Sequence, residues 1–287
     1  MDTGNKQIKS KIICIIGPTA SGKTDLSIKL AKKLNGEIIS ADSRQVYKGM
    51  DIGTAKIIKK EMRGVPHHMI DVVSPKTNFD AVKFKDKAQR IIKDMIKRGK
   101  LPIIVGGTGF WIDTLVHDMD FPGTKQDSKL RKQLESKTVE QLFKQLQELD
   151  SDRALSIERY NKRRLVRALE IVLTTGKPVP QIKKTSKYDV LWLGIKMDQE
   201  QLNRRIKKRF IKWLDKGLID EVKRLHKSGV SWKRFEELGL AYKYIADMLR
   251  NKISHTEMIN LSVQSIIKYS KRQMTWFKRN KEIIWID

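Results

Sequence analysis

Apolar residues along the chain fall into two kinds of run. Short, β-branched runs occur as KIICIIG (11–17), EIIS (37–40), LPIIVGG (101–107), VLWLGI (190–195) and EIIWI (282–286). Runs of this length bounded by turn residues read as buried strands. Between them, apolar residues recur at helical spacing, in LSIKLAKKL after the first strand and at Val82, Ala88, Ile91, Ile92 and Met95 ahead of the third. Strands alternating with helices predict an α/β fold, a parallel sheet with helices on both faces.

The pattern changes between positions 116 and 188. Strand signals stop there, and helical segments over 129–148 and 160–174 are joined by polar turns and closed by TTGKPVP. The economical organisation is an α/β core built from 1–115 and 189–287, interrupted by an all-helical insertion at 116–188. Beyond 199 the spacing is mostly helical up to the terminal strand. There is no internal repeat and no low-complexity segment. The longest near-apolar stretch, 103–112, is interrupted by three glycines and is too short for a membrane span.

Composition adds two constraints. The 287 residues include 60 Lys+Arg against 33 Asp+Glu, a net charge of +27, and every third of the chain is net positive. The excess therefore belongs to a basic globule, not to a basic tail. It reflects either a Lys-biased proteome or a polyanionic partner, and charge alone leaves both open. The single cysteine, Cys14, rules out an internal disulfide and a cysteine metal cluster. The opening residues carry no apolar segment leading to a small-residue cleavage site, so a cytoplasmic protein is expected, and a monomer.

Gly17-Pro18-Thr19-Ala20-Ser21-Gly22-Lys23-Thr24 matches the phosphate-loop pattern G-x-x-x-x-G-K-[ST], with a strand before it and a helix after. Backbone N–H groups curl around an anion, the helix N-terminus adds positive potential, and Lys23 reaches the outer phosphate. The Thr24 hydroxyl is placed to ligate Mg²⁺. A kinase acting on a small metabolite or nucleoside is the first reading of such a loop. Asp42, however, follows the second strand directly, at the sheet edge where ligands of open α/β sheets bind. From position alone it is a magnesium ligand, a cap or a general base.

Two helices carry segregated basic faces. Over 266–279, Lys268, Lys271, Arg272, Lys278 and Arg279 lie opposite Ile266, Ile267, Tyr269, Met274, Trp276 and Phe277. Over 160–173, Arg163, Arg164 and Arg167 lie near Tyr160, opposite Leu165, Val166, Leu169, Val172 and Leu173. Such stripes are RNA contacts or solvated faces. Adjacent His67 and His68 have no ligand partners at metal spacing and make a poor metal site.

Taken in order, GPTASGKT (17–24), ADSRQVYKGMDIGTAK (41–56), VPHHMIDV (65–72), IIVGGTGFWI (103–112) and YSKRQMTWF (269–277) resemble the tRNA dimethylallyltransferase family, through nearly the whole chain. The resemblance implies a P-loop NTPase-like core. It also implies transfer of a dimethylallyl group from dimethylallyl diphosphate to the N6 amine of the adenosine 3′ of the tRNA anticodon, with Mg²⁺ as cofactor. By the same resemblance the loop 17–24 holds the diphosphate, Asp42 accepts the amine proton, Thr108 lies between base and diphosphate, and Arg209, in an R-x-x-x-R-F segment, contacts diphosphate. Contacts to the tRNA anticodon stem-loop are implied at Asp42, Ser43, Arg44, Gln45, Arg131, Arg163, Arg164, Leu165, Val166 and Arg167. They are also implied at Lys243 within 241–244; Thr108 faces the base, and Lys268 and Arg272 add the C-terminal stripe. The chain departs from the family at Ala241, where glycine is common, at Tyr244, where an acid is common, and at Trp111, often tyrosine. Against this, a kinase leaves the insertion and the basic helices without a task.

Overall fold

The computed structural model describes residues 9–119, 127–180, 185 and 187–287. The chain divides into two compact units, Met1–Asp118 with Thr185–Asp287, and Met119–Lys184.

In the first unit β1 (Ser10–Ile16) leads through the glycine-rich loop into α1 (Lys23–Lys33), followed by β2 (Gly36–Ala41), α2 (Lys59–Met62), β3 (His67–His68), α3 (Ala81–Lys97), β4 (Leu101–Gly106) and α4 (Gly109–Val116). The insertion supplies α5 (Ser128–Ser136), α6 (Val139–Leu149), α7 (Ser151–Ser156) and α8 (Lys162–Thr175). The chain then returns with β5 (Tyr188–Ile195), α9 (Gln199–Asp215), α10 (Leu218–Lys227), α11 (Trp232–Leu238), α12 (Leu240–Leu249), α13 (His255–Phe277) and β6 (Ile284–Ile286).

All strand pairs are parallel, in the order β3-β2-β4-β1-β5-β6. Both faces are covered, so β2 is buried along its whole length and β1 from Ile12 onward, as a near-continuous apolar run requires. Register aligns the strand ends. Ala41 pairs with Gly106, and Ile16 pairs with both Gly106 and Gly194, so β2, β4 and β1 end level with one another. The residues that come next, Asp42, Gly107-Thr108 and Gly17, are thereby set side by side at the carboxyl edge.

His67-His68 forms the edge strand β3, paired with β2. His67 Nδ1 lies 2.8 Å from Val65 O and His68 Nε2 lies 2.8 Å from Glu37 Oε2. Arg98 also bonds Glu37, at 2.5 and 2.8 Å; these bonds outweigh burial and hold the Glu37 carboxyl at about 2.

The insertion unit has its own core, built on Leu134, Leu142, Leu146, Leu165 and Leu169. The helix expected over 129–148 is two helices. Thr138 starts the second: its hydroxyl accepts from Gln141 N (3.3 Å) and Gln141 Oε1 accepts from Thr138 N (2.9 Å), a reciprocal cap that stops α5 and begins α6.

Candidate active site

The phosphate loop closes on itself before it closes on anything else. Gly22, at φ 96°, sets the turn into α1, and Lys23 Nζ donates to Gly17 O (2.9 Å) and Pro18 O (2.6 Å). Ser21 Oγ, buried in the loop, has no hydrogen-bond partner. Arg209 arrives from α9, the helix whose apolar face is Leu202, Ile206, Phe210 and Trp213. Its guanidinium lies over the Trp213 ring at 5.2 Å and donates to Thr19 Oγ1 at 2.6 Å. Arg209 therefore reaches the loop instead of snorkelling to solvent. Burial and the Arg209 charge push Lys23 down to about 7, against the pull of Asp42; burial pushes Arg209 down to about 10. Two cations held this close, and partly stripped of water, form a site suited to a polyanion.

The second half of the site grows from the ends of β2 and β4. Asp42 Oδ1 accepts from Arg44 N (2.8 Å) and more weakly from Gln45 N (3.4 Å), so the carboxylate fixes its own turn. Thr108 Oγ1 accepts from Ser43 N at 3.0 Å, and Thr108 N donates to Ala41 O at 3.2 Å, which locks the two strand ends together. Tyr269 of α13 faces the same space. Burial and the Asp42 charge raise its phenol above the ordinary range, against the opposing effects of Arg44, Thr108 and Gln273.

The long motif 41–56 is mostly scaffolding. Gln45 accepts from Ser40 Oγ (2.9 Å) and donates to Thr54 O (3.2 Å), and Arg44 Nε donates to Leu238 O (2.9 Å). Buried Glu221 accepts from the amides of Asp51 (2.8 Å) and Ile52 (2.7 Å) and from the Tyr242 hydroxyl (2.7 Å). Lys56, also buried, bonds Tyr47 O, Asp51 and Asp71 at 2.6–2.7 Å. Of Ser43, Arg44 and Gln45, expected at the RNA, Arg44 and Gln45 line the cavity of the site, and all three are already engaged in bonds within the protein.

The phosphate loop from Thr19 onward, Asp42, Arg44, Gln45, Arg209 and Tyr269 open onto one cavity of about 350 Å³, lined also by Arg205 and Gln273. Thr108 lies behind that lining, bonded to Ser43 N. Ala241, where glycine is common in the family, is buried in α12 and lines this cavity as well. Sequence reading did not single out Tyr269 or Gln273 as site residues. The signal available was their spacing on α13, four apart and on the inner face with Ile266.

The remaining expected RNA residues divide by exposure. Lys268 and Arg272 are exposed on α13, and Lys243 is half-buried beside Tyr244. In the insertion unit Arg163 and Arg164 are exposed, whereas the side chains of Leu165 and Val166 are buried in the unit's core. Arg131 and Arg167 both bond the buried carboxylate of Glu170, at 2.6 and 2.7 Å. Burial works to raise the Glu170 carboxyl, and the two arginines overcome it and hold it below the usual range. These two arginines hold the unit together, a role the helical spacing did not reveal.

Comparison with known proteins agrees with this geometry. Residues 45–280 match the family model described as IPP transferase. The chain is 43% identical to the tRNA dimethylallyltransferase of Anoxybacillus flavithermus, over 96% of this chain and 90% of that one. It is 40% identical to that of Pelotomaculum thermopropionicum, over 100% and 93%. Among solved structures it is similar to the full-length tRNA isopentenylpyrophosphate transferase from Bacillus halodurans (TM-score 0.74, 39% identity, 97% of this chain and 90% of that one). It is also similar to a eukaryotic dimethylallyltransferase captured acting on tRNA (TM-score 0.84, 30% identity, 97% and 74%).

Proposed function

Because the chain belongs to the IPP transferase family, we propose that its phosphate loop serves a leaving diphosphate and its sheet-end carboxylate an attacking amine. The reaction transfers a dimethylallyl group to the N6 amine of the adenosine 3′ of the anticodon in tRNA. The observation that carries this reading is the convergence, on one cavity, of the phosphate-loop cations Lys23 and Arg209 and the carboxylate of Asp42.

The donor is dimethylallyl diphosphate. As the bond between its first carbon and the bridging oxygen breaks, the electron pair leaves on the diphosphate, and charge grows beside Lys23, Arg209 and the loop amides. The N6 amine bonds that carbon, and its proton passes to the free oxygen of Asp42. Thr108, anchored between the strand ends, orients the base against the donor. The target base is stacked inside the anticodon loop and has to be extruded to reach the cavity.

Magnesium is part of the proposal. Among the described residues no three His, Cys, Asp or Glu side chains gather into a metal cage. A hard hydroxyl oxygen from Thr24 beside a diphosphate suits an ion that keeps several waters and binds chiefly through phosphate. Thr24 would hold it, and its charge would help neutralise the departing diphosphate.

Asp42→Asn tests the base. The amide oxygen can still accept from Arg44 N, so the turn survives. Transfer should fall by about 100- to 10,000-fold, while donor and stem-loop affinities hold. Unchanged turnover would remove Asp42 from the chemistry.

A further inference from the structure

Gln273 is 5% exposed, and its carboxamide is used at both ends. Oε1 accepts from Thr19 N at 2.9 Å, in the phosphate loop. Nε2 donates to Gly107 O at 3.0 Å, one residue before Thr108. The fit admits no slack: a Cβ at Gly107 would collide with the Gln273 amide nitrogen, and one at Gly109 with the Trp276 ring of the same helix. Trp276 Nε1 in turn donates to Asp113 Oδ2 at 2.9 Å, fixing α13 against α4. Thr19 carries the connection onward, since its hydroxyl accepts from Arg209.

A single side chain therefore joins the loop that holds the leaving group to the loop that orients the nucleophile. We infer that Gln273 is a positioning residue, whose carboxamide sets the spacing between the donor diphosphate and the acceptor amine. The inference rests on the prenyl-transfer reading above. Reaction rates are steep in this spacing: a misplacement of about 1 Å costs on the order of 100-fold. The same misplacement opens a side reaction. Water in place of the amine attacks the first carbon of the donor, the carbon–oxygen bond breaks onto the diphosphate, and the water proton passes to solvent, giving dimethylallyl alcohol.

The test counts diphosphate released per prenyl group transferred, using dimethylallyl diphosphate and an anticodon stem-loop. Gln273→Met keeps length and volume but neither hydrogen bond. Gln273→Glu keeps an acceptor toward Thr19 and turns a second acceptor on Gly107 O. In the wild-type protein the ratio should be one. In both variants transfer should drop by about 100-fold, stem-loop affinity should hold, and the ratio should rise several-fold as water captures the donor. A variant that merely unfolds loses both products in proportion and leaves the ratio at one. A ratio of one in either variant that still binds the stem-loop with wild-type affinity overturns the inference. A wild-type protein that prenylates no RNA overturns the underlying function first, and this inference with it.

Discussion

Lys23 is where residue chemistry is most exposed to test. With its ammonium pushed down to about 7 by burial and by Arg209, much of it is neutral at pH above that value. A bound diphosphate favours the charged form and raises the pKa again. Donor binding at about pH 8 should therefore take up close to one proton, and binding at about pH 6, where Lys23 is already charged, should take up little through this group. Calorimetry in buffers of different ionisation enthalpy reads the proton count, and Lys23→Met should abolish the uptake at the higher pH. An uptake unchanged by that substitution would move the proton to another group. At this scale the sequence was legible wherever the chemistry is contiguous. The octapeptide 17–24 declares an anion site because eight neighbouring residues make it. Gln273 was not legible, because its two partners lie 254 and 166 positions away. Asp42 was legible as a site residue, and a cap was among the roles its position allowed; its carboxylate does cap its own turn.

At the scale of elements, α8 separates what a helical pattern can say from what it cannot. Arg163, Arg164 and Arg167 share one face by periodicity, yet packing turns Arg167 toward Glu170 and leaves Arg163 and Arg164 in solvent. Charge reversal at Arg163 and Arg164 together should weaken tRNA binding and lower the slope of log affinity against log salt by roughly two. An unchanged slope would return that face to plain solvent exposure. Reversal at Arg167 is a poorer probe, because it sets a second negative charge against a buried carboxylate and disturbs the unit itself. Strands were legible as β-branched runs, and their parallel order followed from the intervening helices. The two-residue β3 was not, since two histidines carry no strand signal; it exists because β2 offers them an open edge and Glu37 a partner. The break between α5 and α6 was written in Thr138 and Gln141, a capping pair overlooked beneath continuous apolar spacing.

For the whole molecule, one cavity gives the charge and the fold a common purpose. A net charge of +27 spread over the surface raises the encounter rate with a polyanion and adds affinity that salt erodes. The parallel sheet brings three strand ends level, so that a phosphate loop, a carboxylate and a threonine meet although the chain separates them by dozens of residues. No helix among the described residues is long and apolar enough to cross a membrane. The central claim is that the phosphate loop holds a leaving group and does not pass on a phosphoryl group. The most direct measurement mixes the protein with Mg²⁺, dimethylallyl diphosphate and an anticodon stem-loop bearing adenosine 3′ of the anticodon, and follows the RNA by mass spectrometry. The account predicts one five-carbon addition on that adenosine, dependent on both substrates and matched by diphosphate released. An unmodified RNA, with ATP consumed and phosphate moved to a small acceptor, would contradict it.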